Sequence, residues 1–328
     1  MTTKRQDILQ VFIQKIDKEN YLSLQPKDLL ERKGTQFLDT IHRLLEAVLP
    51  RKISGLKILV KPNLLKAGDP DCVTSALFII SVITYLKERG ATVTVGDSPA
   101  FGTAKQVLKG LKILELLNEQ GVSISSLSKP QRLRLPCGVT VAVSKEALDA
   151  QLIVNLPRLK AHCQLGVTGA VKNLYGTVPG FRKALYHVLY GSRPSLFARI
   201  ILEIGQILPE TVSIMDACVC MGETGPTGGK PIWVGSLGAS ISSHALDTAF
   251  YHAIDATPQN VPVWQEAIKV KEPGSLFSNL SFPWLSPKDI KTDSFILPHR
   301  LDPVTFNPVR FIRGRLRSLV RSIVFLRP

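Results

Sequence analysis

Apolar residues recur along the chain in two rhythms that take turns. Short β-branched runs closed by proline or glycine fall at 57–62, 91–96, 122–125, 139–143, 151–155, 211–216 and 232–237. Between them lie stretches of helical period at 73–87, 103–119, 196–208 and 244–252. Runs of unbroken apolar character, rather than strict alternation, suit strands covered on both faces, as in a parallel sheet. The unit 57–96 reads as strand, helix, strand, a crossover that is right-handed in nearly all known cases. The pattern predicts an α/β fold: a mostly parallel sheet of five to seven strands with helices on both faces. Its longest apolar run, 73–86, is shorter than the ~20 residues a membrane span needs and predicts a buried helix.

The rhythm changes at both ends. Residues 1–50 place Ile41, Leu44, Leu45 and Val48 at helical spacing and predict a helical N-terminal extension. The α/β domain is expected over 51–271, followed by a proline- and serine-rich segment, 272–308, without period. The tail, 309–328, sets Ile312, Leu316, Leu319, Val320 and Ile323 on one helical face and Arg310, Arg313, Arg317 and Arg321 on another. That is the pattern of a basic amphipathic helix, suited to the core or to peripheral contact with an anionic membrane.

Composition sharpens this picture at one point, the charge. The 328 residues are 45% hydrophobic and 20% charged, typical of a globular chain, but 41 basic against 26 acidic residues give +15. Such a surplus favours anionic partners. The basic residues are not interleaved with aromatics and match no nucleic-acid module, which argues against nucleic acid. The first twenty residues mix charges and lack an apolar core, so no secretory signal and a cytoplasmic location are expected. The five cysteines form no C-x-x-C pair and read as buried thiols, and no metal-ligand motif is present.

In open parallel sheets, ligands collect outside the carboxyl ends of the strands. Four predicted strand ends carry polar groups: Lys61 and Asn63; Asp97 and Ser98; 155–173; and 216–230. The third is richest, with Lys160, His162, Thr168, Lys172 and Asn173 around Gly166, Gly169 and Gly176. Glycines permit close backbone approach and the lysines supply cations for an anion, although glycine turns with solvated lysines give the same letters. His162, with an unperturbed pKa of ~6.5, and Lys172 are the candidate catalytic groups. The fourth loop, with Glu223, Gly225, Gly228 and Gly229, lacks the spacing of a Walker A motif or a dinucleotide fingerprint.

Five motifs together resemble the DUF362 family over about residues 56–250. They are Lys61-Pro-Asn63-Leu, Val95-Gly-Asp97-Ser98-Pro, Asn155-Leu-Pro-x-Leu-Lys160-x-His162, Gly169-Ala-x-Lys172-Asn173 and Gly222-Glu223-x-Gly225-Pro-Thr-Gly-Gly229. Some members carry ferredoxin-like cysteine repeats after this domain and are labelled iron–sulfur centre proteins. This chain has no such repeat, so no cluster is carried over, and the residues name no cofactor. It also has Ser242 where many relatives have an aspartate shortly before an Ala-Leu-Asp stretch, here Ala245–Asp247. The expected function is binding, with or without chemistry, of a phosphorylated or carboxylated small molecule by Lys61, Asn63, Asp97, Ser98, Lys160, Thr168, Gly169, Asn173, Glu223 and Gly225. The alternative is a redox accessory protein acting beside an iron–sulfur electron carrier.

Overall fold

Nine strands form one mixed sheet in the computed structural model, which describes residues 8–32 and 35–302. In chain order they are β1 (Phe12–Lys15), β2 (Lys57–Pro62), β3 (Thr92–Gly96), β4 (Ser123–Ser125), β5 (Leu152–Leu156), β6 (Arg158–His162), β7 (Gly166–Thr168), β8 (Thr211–Gly222) and β9 (Lys230–Ser240). The principal helices are α1 (Thr35–Val48), α2 (Ala76–Glu88), α3 (Ala170–Leu174), α4 (Arg182–Tyr190), α5 (Pro194–Gln206) and α6 (Ser243–Ala253).

The order β7-β6-β8-β5-β2-β3-β4 has a parallel centre, β8-β5-β2-β3-β4. Antiparallel pairs add β7 to β6, β9 to β8, and β1 to β9. β5 and β6 are one extended run broken at Pro157, and both lie along β8; the Pro157 carbonyl accepts the Asp216 N–H at 2.9 Å, which carries the pairing across the break.

Side chains alternate across this sheet, so each strand feeds two cores. Ile58, Val60, Val93, Val95 and Val154 pack under α1 and α2, whereas Leu59 and Ile153 pack under α3 and α5. α2 is the long apolar run, and nine of its residues are buried, as an element sunk between sheet and α1 requires. On the extended half, Leu159, Ala161, Met215 and Ala217 face Leu246, Ala249 and Phe250 of α6.

Several expectations are corrected. Residues 12–15 are strand, not helix, because Val11 and Ile13 are buried with a period of two and the segment pairs along β9. The strand expected at 139–143 lies outside the main sheet and forms a hairpin, Pro130–Arg134 with Thr140–Ser144. Residues 158–162 and 217–222 continue as strand where loops were expected. The sheet therefore exceeds seven strands, through β1, β6 and β7. The helix expected at 103–119 breaks into Ala104–Gly110 and Leu114–Glu119 around Lys112, whose φ is +60°. From 272 to 302 the chain is largely irregular, and its end is tied back where Asp302 N–H meets the Cys163 carbonyl at 2.8 Å. The tail helix at 309–328 lies outside the described residues. Among the described residues no helix is long and apolar enough to cross a membrane.

Candidate functional site

The carboxyl ends of β2, β3 and β5 meet α3 in a closed polar network. Lys61, fully buried, donates from Nζ to Asp97 Oδ1 at 2.9 Å, to the Pro62 carbonyl at 3.3 Å and to Asn173 Oδ1 at 3.4 Å. Asp97 accepts the Leu64 N–H at 2.7 Å and the Ser98 N–H at 2.9 Å. Asn173 donates to Asn155 Oδ1 at 2.8 Å and to the Lys61 carbonyl at 3.1 Å. Asn155 in turn donates to Ser213 Oγ at 2.9 Å and to the Ala170 carbonyl at 3.0 Å. A buried ion pair is retained at low cost only when its remaining donors and acceptors are also partnered, and here they are.

α3 is held in place from α6. Asp247 accepts the N–H groups of Ala170 at 2.5 Å and Val171 at 3.0 Å, one on each carboxylate oxygen. Gly169 is required by this contact, since a Cβ there would lie 2.1 Å from Asp247 Oδ1. At Gly176 a Cβ would come within 2.5 Å of both Lys61 Nζ and Asp97 Oδ1. Burial pushes Asp247 up to about 7 against the two N–H bonds. Ser242 caps α6, its Oγ accepting the Ala245 N–H at 3.2 Å, a task aspartate performs equally well.

Three further lysines stand over this floor without a carboxylate within ion-pair distance among the described residues. Alternation along β6 turns Lys160 and His162 away from the core that receives Leu159 and Ala161. Lys160 is buried, with Nζ donating to the Cys72 carbonyl at 2.7 Å and Asn63 Oδ1 at 3.3 Å. Its carbonyl accepts the Thr168 hydroxyl at 3.2 Å. Burial lowers it to about 8. Lys172 is part-exposed on α3, with Nζ 4.6 Å from the Tyr175 ring centroid, and is lowered to about 7 by burial and then by Lys183, Lys160 and Lys61. Lys183, on the inward side of α4, is lowered to about 8 by burial, which the nearby Asp97 partly offsets. Like charges converging in a low-dielectric recess lower one another's proton affinity, and an anion placed among them reverses the effect.

Two imidazoles stack beside the lysines, with ring centroids 6.2 Å apart. His162 Nδ1 accepts the Gln164 N–H at 3.1 Å, which leaves the proton of the neutral ring on Nε2. Burial, then Lys172, His187 and Lys160, hold its pKa well below the usual value, so it is neutral at neutral pH. His187 donates from Nδ1 to Gln164 Oε1 at 2.6 Å and is lowered to about 3 by burial, then by Lys172 and Lys183.

Direct bonds therefore join Lys61, Asp97, Ser98 and Asn173 in one group and Asn63, Lys160 and Thr168 in a second. Lys172 is coupled to both through charge, and His162 to Lys172 and Lys160. Gly225 packs on β6, where a Cβ would meet the Ala161 carbonyl at 2.0 Å, and its carbonyl accepts the Cys163 N–H at 3.1 Å. Glu223 is not brought into the group; it pairs with Lys230 at 2.7 Å. A surface groove of about 500 Å³, lined by Cys137, Arg193, Arg199 and Glu266 among others, contains none of the expected residues. A cavity of about 10 Å³ borders Asp247, and His244 Nε2, Thr248 Oγ1 and Ser275 Oγ there have no partner among the described residues, a setting sized and lined for one water. Among the described residues no three His, Cys, Asp or Glu are placed to hold a metal ion.

Lys183, His187 and Asp247 were not singled out as site residues from the sequence. One signal was available: from 150 to 202 the chain has no Asp or Glu but includes Arg158, Lys160, Lys172, Arg182, Lys183, Arg193 and Arg199. Asp247 lies far along the chain, in an apolar helix, and only the fold brings it to α3.

Comparison with known proteins bears on this arrangement. The chain is 32% identical over 268 residues to the thylakoid-associated protein sll1697 of Synechocystis sp., a match covering 80% of this chain and 83% of that protein. Among solved structures, the lactate racemase apoprotein of Thermoanaerobacterium thermosaccharolyticum matches with a TM-score of 0.44 and 15% identity, over 66% of this chain and 55% of that one. A protein from Thermotoga maritima matches with a TM-score of 0.41, again at 15% identity, over 63% of this chain and 55% of that one. The family model described as "Domain of unknown function (DUF362)" matches residues 58–252, the span that holds the lysine-lined strand ends and α3. More than half of the chain fits that model, and the protein belongs to the DUF362 family.

Proposed function

We propose that the protein binds a small phosphorylated or carboxylated molecule over the strand ends, between Lys160, Lys172 and Lys183. The observation that carries this reading is the contrast in pairing: Lys61 of the floor is bonded to Asp97, while Lys160, Lys172 and Lys183 have no carboxylate within ion-pair distance among the described residues. An anion restores the missing charge and forms charge-assisted hydrogen bonds, the strongest kind available to a lysine. Asn63, Ser98, Thr168, Asn173 and the backbone at Gly169 and Gly225 shape the surroundings, with Lys61 and Asp97 as the fixed base. Glu223 has no place in this arrangement. Lys172, titrating near neutrality, is the group able to exchange a proton with a bound molecule, and His162 contributes a neutral Nε2–H donor. The test is mass spectrometry of small molecules that co-purify with the native protein and with a Lys172→Ala/Lys183→Ala variant. An anionic species carried by the wild type and absent from the variant supports the reading. A neutral molecule, or equal loading of both proteins, contradicts it.

We further propose that the arginine-rich segment 309–328 contacts an anionic membrane at its surface. The thylakoid association of the relative favours this. Flotation on anionic vesicles by the full chain, weakened by truncation at Asn307, is the expected result; equal behaviour of the two contradicts it.

A further inference from the structure

α4 is built inside out. Its inward side carries the polar groups: Lys183 toward Asp97 and Lys61, Tyr186 with its hydroxyl accepting the Ala142 N–H at 2.8 Å, and His187 against Phe197 and Tyr175. Its outward side is apolar. Phe181, Leu185, Val188 and Leu189 stand 51%, 42%, 39% and 48% exposed, at the i, i+4, i+7, i+8 spacing that places them on one face. The Gly180 N–H donates to Ser98 Oγ at 2.8 Å, which ties the loop bearing the exposed Phe101 to the start of this helix. Scattered apolar side chains on a surface need no explanation, but a contiguous helical face does.

The charged side chains seen against this face are arginines. Arg182 lies 5.3 Å from the Phe181 ring centroid, and Arg193 lies 5.7 Å from that of Tyr190 while donating to the Leu189 carbonyl at 3.4 Å. Neither arginine has a carboxylate partner among the described residues, and the acid-free stretch 150–202 spans the whole element.

We propose that the outward face of α4 docks the protein on an anionic lipid bilayer, with Leu185, Val188 and Leu189 at the acyl boundary and Arg182 and Arg193 among the headgroups. Charge selects this occupant over two others. A second copy packed across a two-fold axis would set Arg182 and Arg193 against their own equivalents, with no acid in the element to separate them. The chain's own tail, 309–328, brings apolar residues but adds six arginines and no acid. An anionic bilayer meets both the apolar face and the cations. This surface lies within the described residues, so it stands apart from the tail's membrane contact and from the anion-binding reading.

The experiment floats the full chain on vesicles of pure phosphatidylcholine and on equimolar phosphatidylcholine and phosphatidylglycerol. It compares the wild type with Leu185→Ser/Leu189→Ser and with Arg182→Gln/Arg193→Gln. Both leucines are already close to half exposed, so the melting temperature should hold; should the double variant unfold, Leu189→Ser alone replaces it. The expected result is flotation of the wild type on anionic vesicles only, a partition coefficient lowered about tenfold or more by the leucine changes, and a smaller loss at low salt from the arginine changes. Wild-type flotation by the leucine variant would assign all binding to the tail and overturn the proposal. So would failure of the wild type to float, equal binding to neutral vesicles, or a dimer in sedimentation velocity that the leucine changes dissolve.

Discussion

Lys61 and Lys172 belong to the same strand-end cluster, yet the fold treats them in opposite ways. Lys61 is fully buried, faces Asp97 at 2.9 Å and shares its remaining hydrogens with Pro62 and Asn173. Lys172 is part-exposed, lies against an aromatic ring and feels the charge of three other lysines. The first arrangement satisfies itself and needs no ligand. The second lowers its own proton affinity and is relieved by an anion. The family motifs around these lysines therefore divide into a floor that holds the strands together and a rim directed at something outside the protein.

The largest expected effect lies in the floor. Lys61→Met leaves Asp97 buried without its cation and should cost about 3–5 kcal/mol of stability, read by denaturant unfolding. Lys172→Met should leave stability unchanged or raise it. Equal losses from the two variants would erase the distinction between floor and rim.

On the rim, Lys172→Ala should weaken binding of inorganic pyrophosphate by about 1.5–3 kcal/mol, the range for a charge-assisted hydrogen bond, with cooperative unfolding retained. An unchanged dissociation constant would move the anion away from α3. Between floor and rim stands the clamp on α3, where Gly169→Ala forces a methyl group against Asp247 and should cost about 1–3 kcal/mol, an overpacking penalty. A melting temperature equal to the wild type's would show that α3 and α6 separate freely.

The smallest effect is a slope with pH. The folded chain holds protons on Lys172, Lys183 and Lys160 more weakly than the unfolded chain, so stability without ligand should rise as pH climbs from about 7 toward about 10. Anion binding needs the protonated lysines and runs the other way, strongest below about 7 and falling through about 8. Circular dichroism melts across this range should show the first slope flattened in a Lys172→Ala/Lys183→Ala variant. An unaltered slope would place its origin elsewhere.

Much of the floor was legible in the sequence because its parts end strands. Lys61-Pro62 and Gly96-Asp97 close β-branched runs, and open α/β sheets gather such ends at one edge. What the letters concealed was pairing. Lys61 and Lys172 look alike as lysines in polar motifs, and only the three-dimensional fold shows that Asp97 pairs with one and that no carboxylate among the described residues pairs with the other. The partner of Glu223 was concealed in the same way: its glycine-rich loop resembled a ligand cradle, and the fold pairs its carboxylate with Lys230, seven residues on. Residues 158–162 looked like loop because Pro157 interrupts the run, whereas Asp216 carries the ladder past the proline through the Pro157 carbonyl. At 12–15 the helical signal of the following residues masked a strand whose period of two covers few positions.

The central claim, that the rim lysines hold an anion, is tested most directly by calorimetric titration of inorganic pyrophosphate at about pH 8 in two buffers of different ionisation enthalpy. There Lys172 is largely neutral, and Lys183 and Lys160 are near their midpoints. Binding that draws protons from the buffer, and proton uptake that shrinks in Lys172→Ala together with affinity, is the predicted result. Binding with no proton uptake, or uptake and affinity untouched in Lys172→Ala/Lys183→Ala, would contradict it.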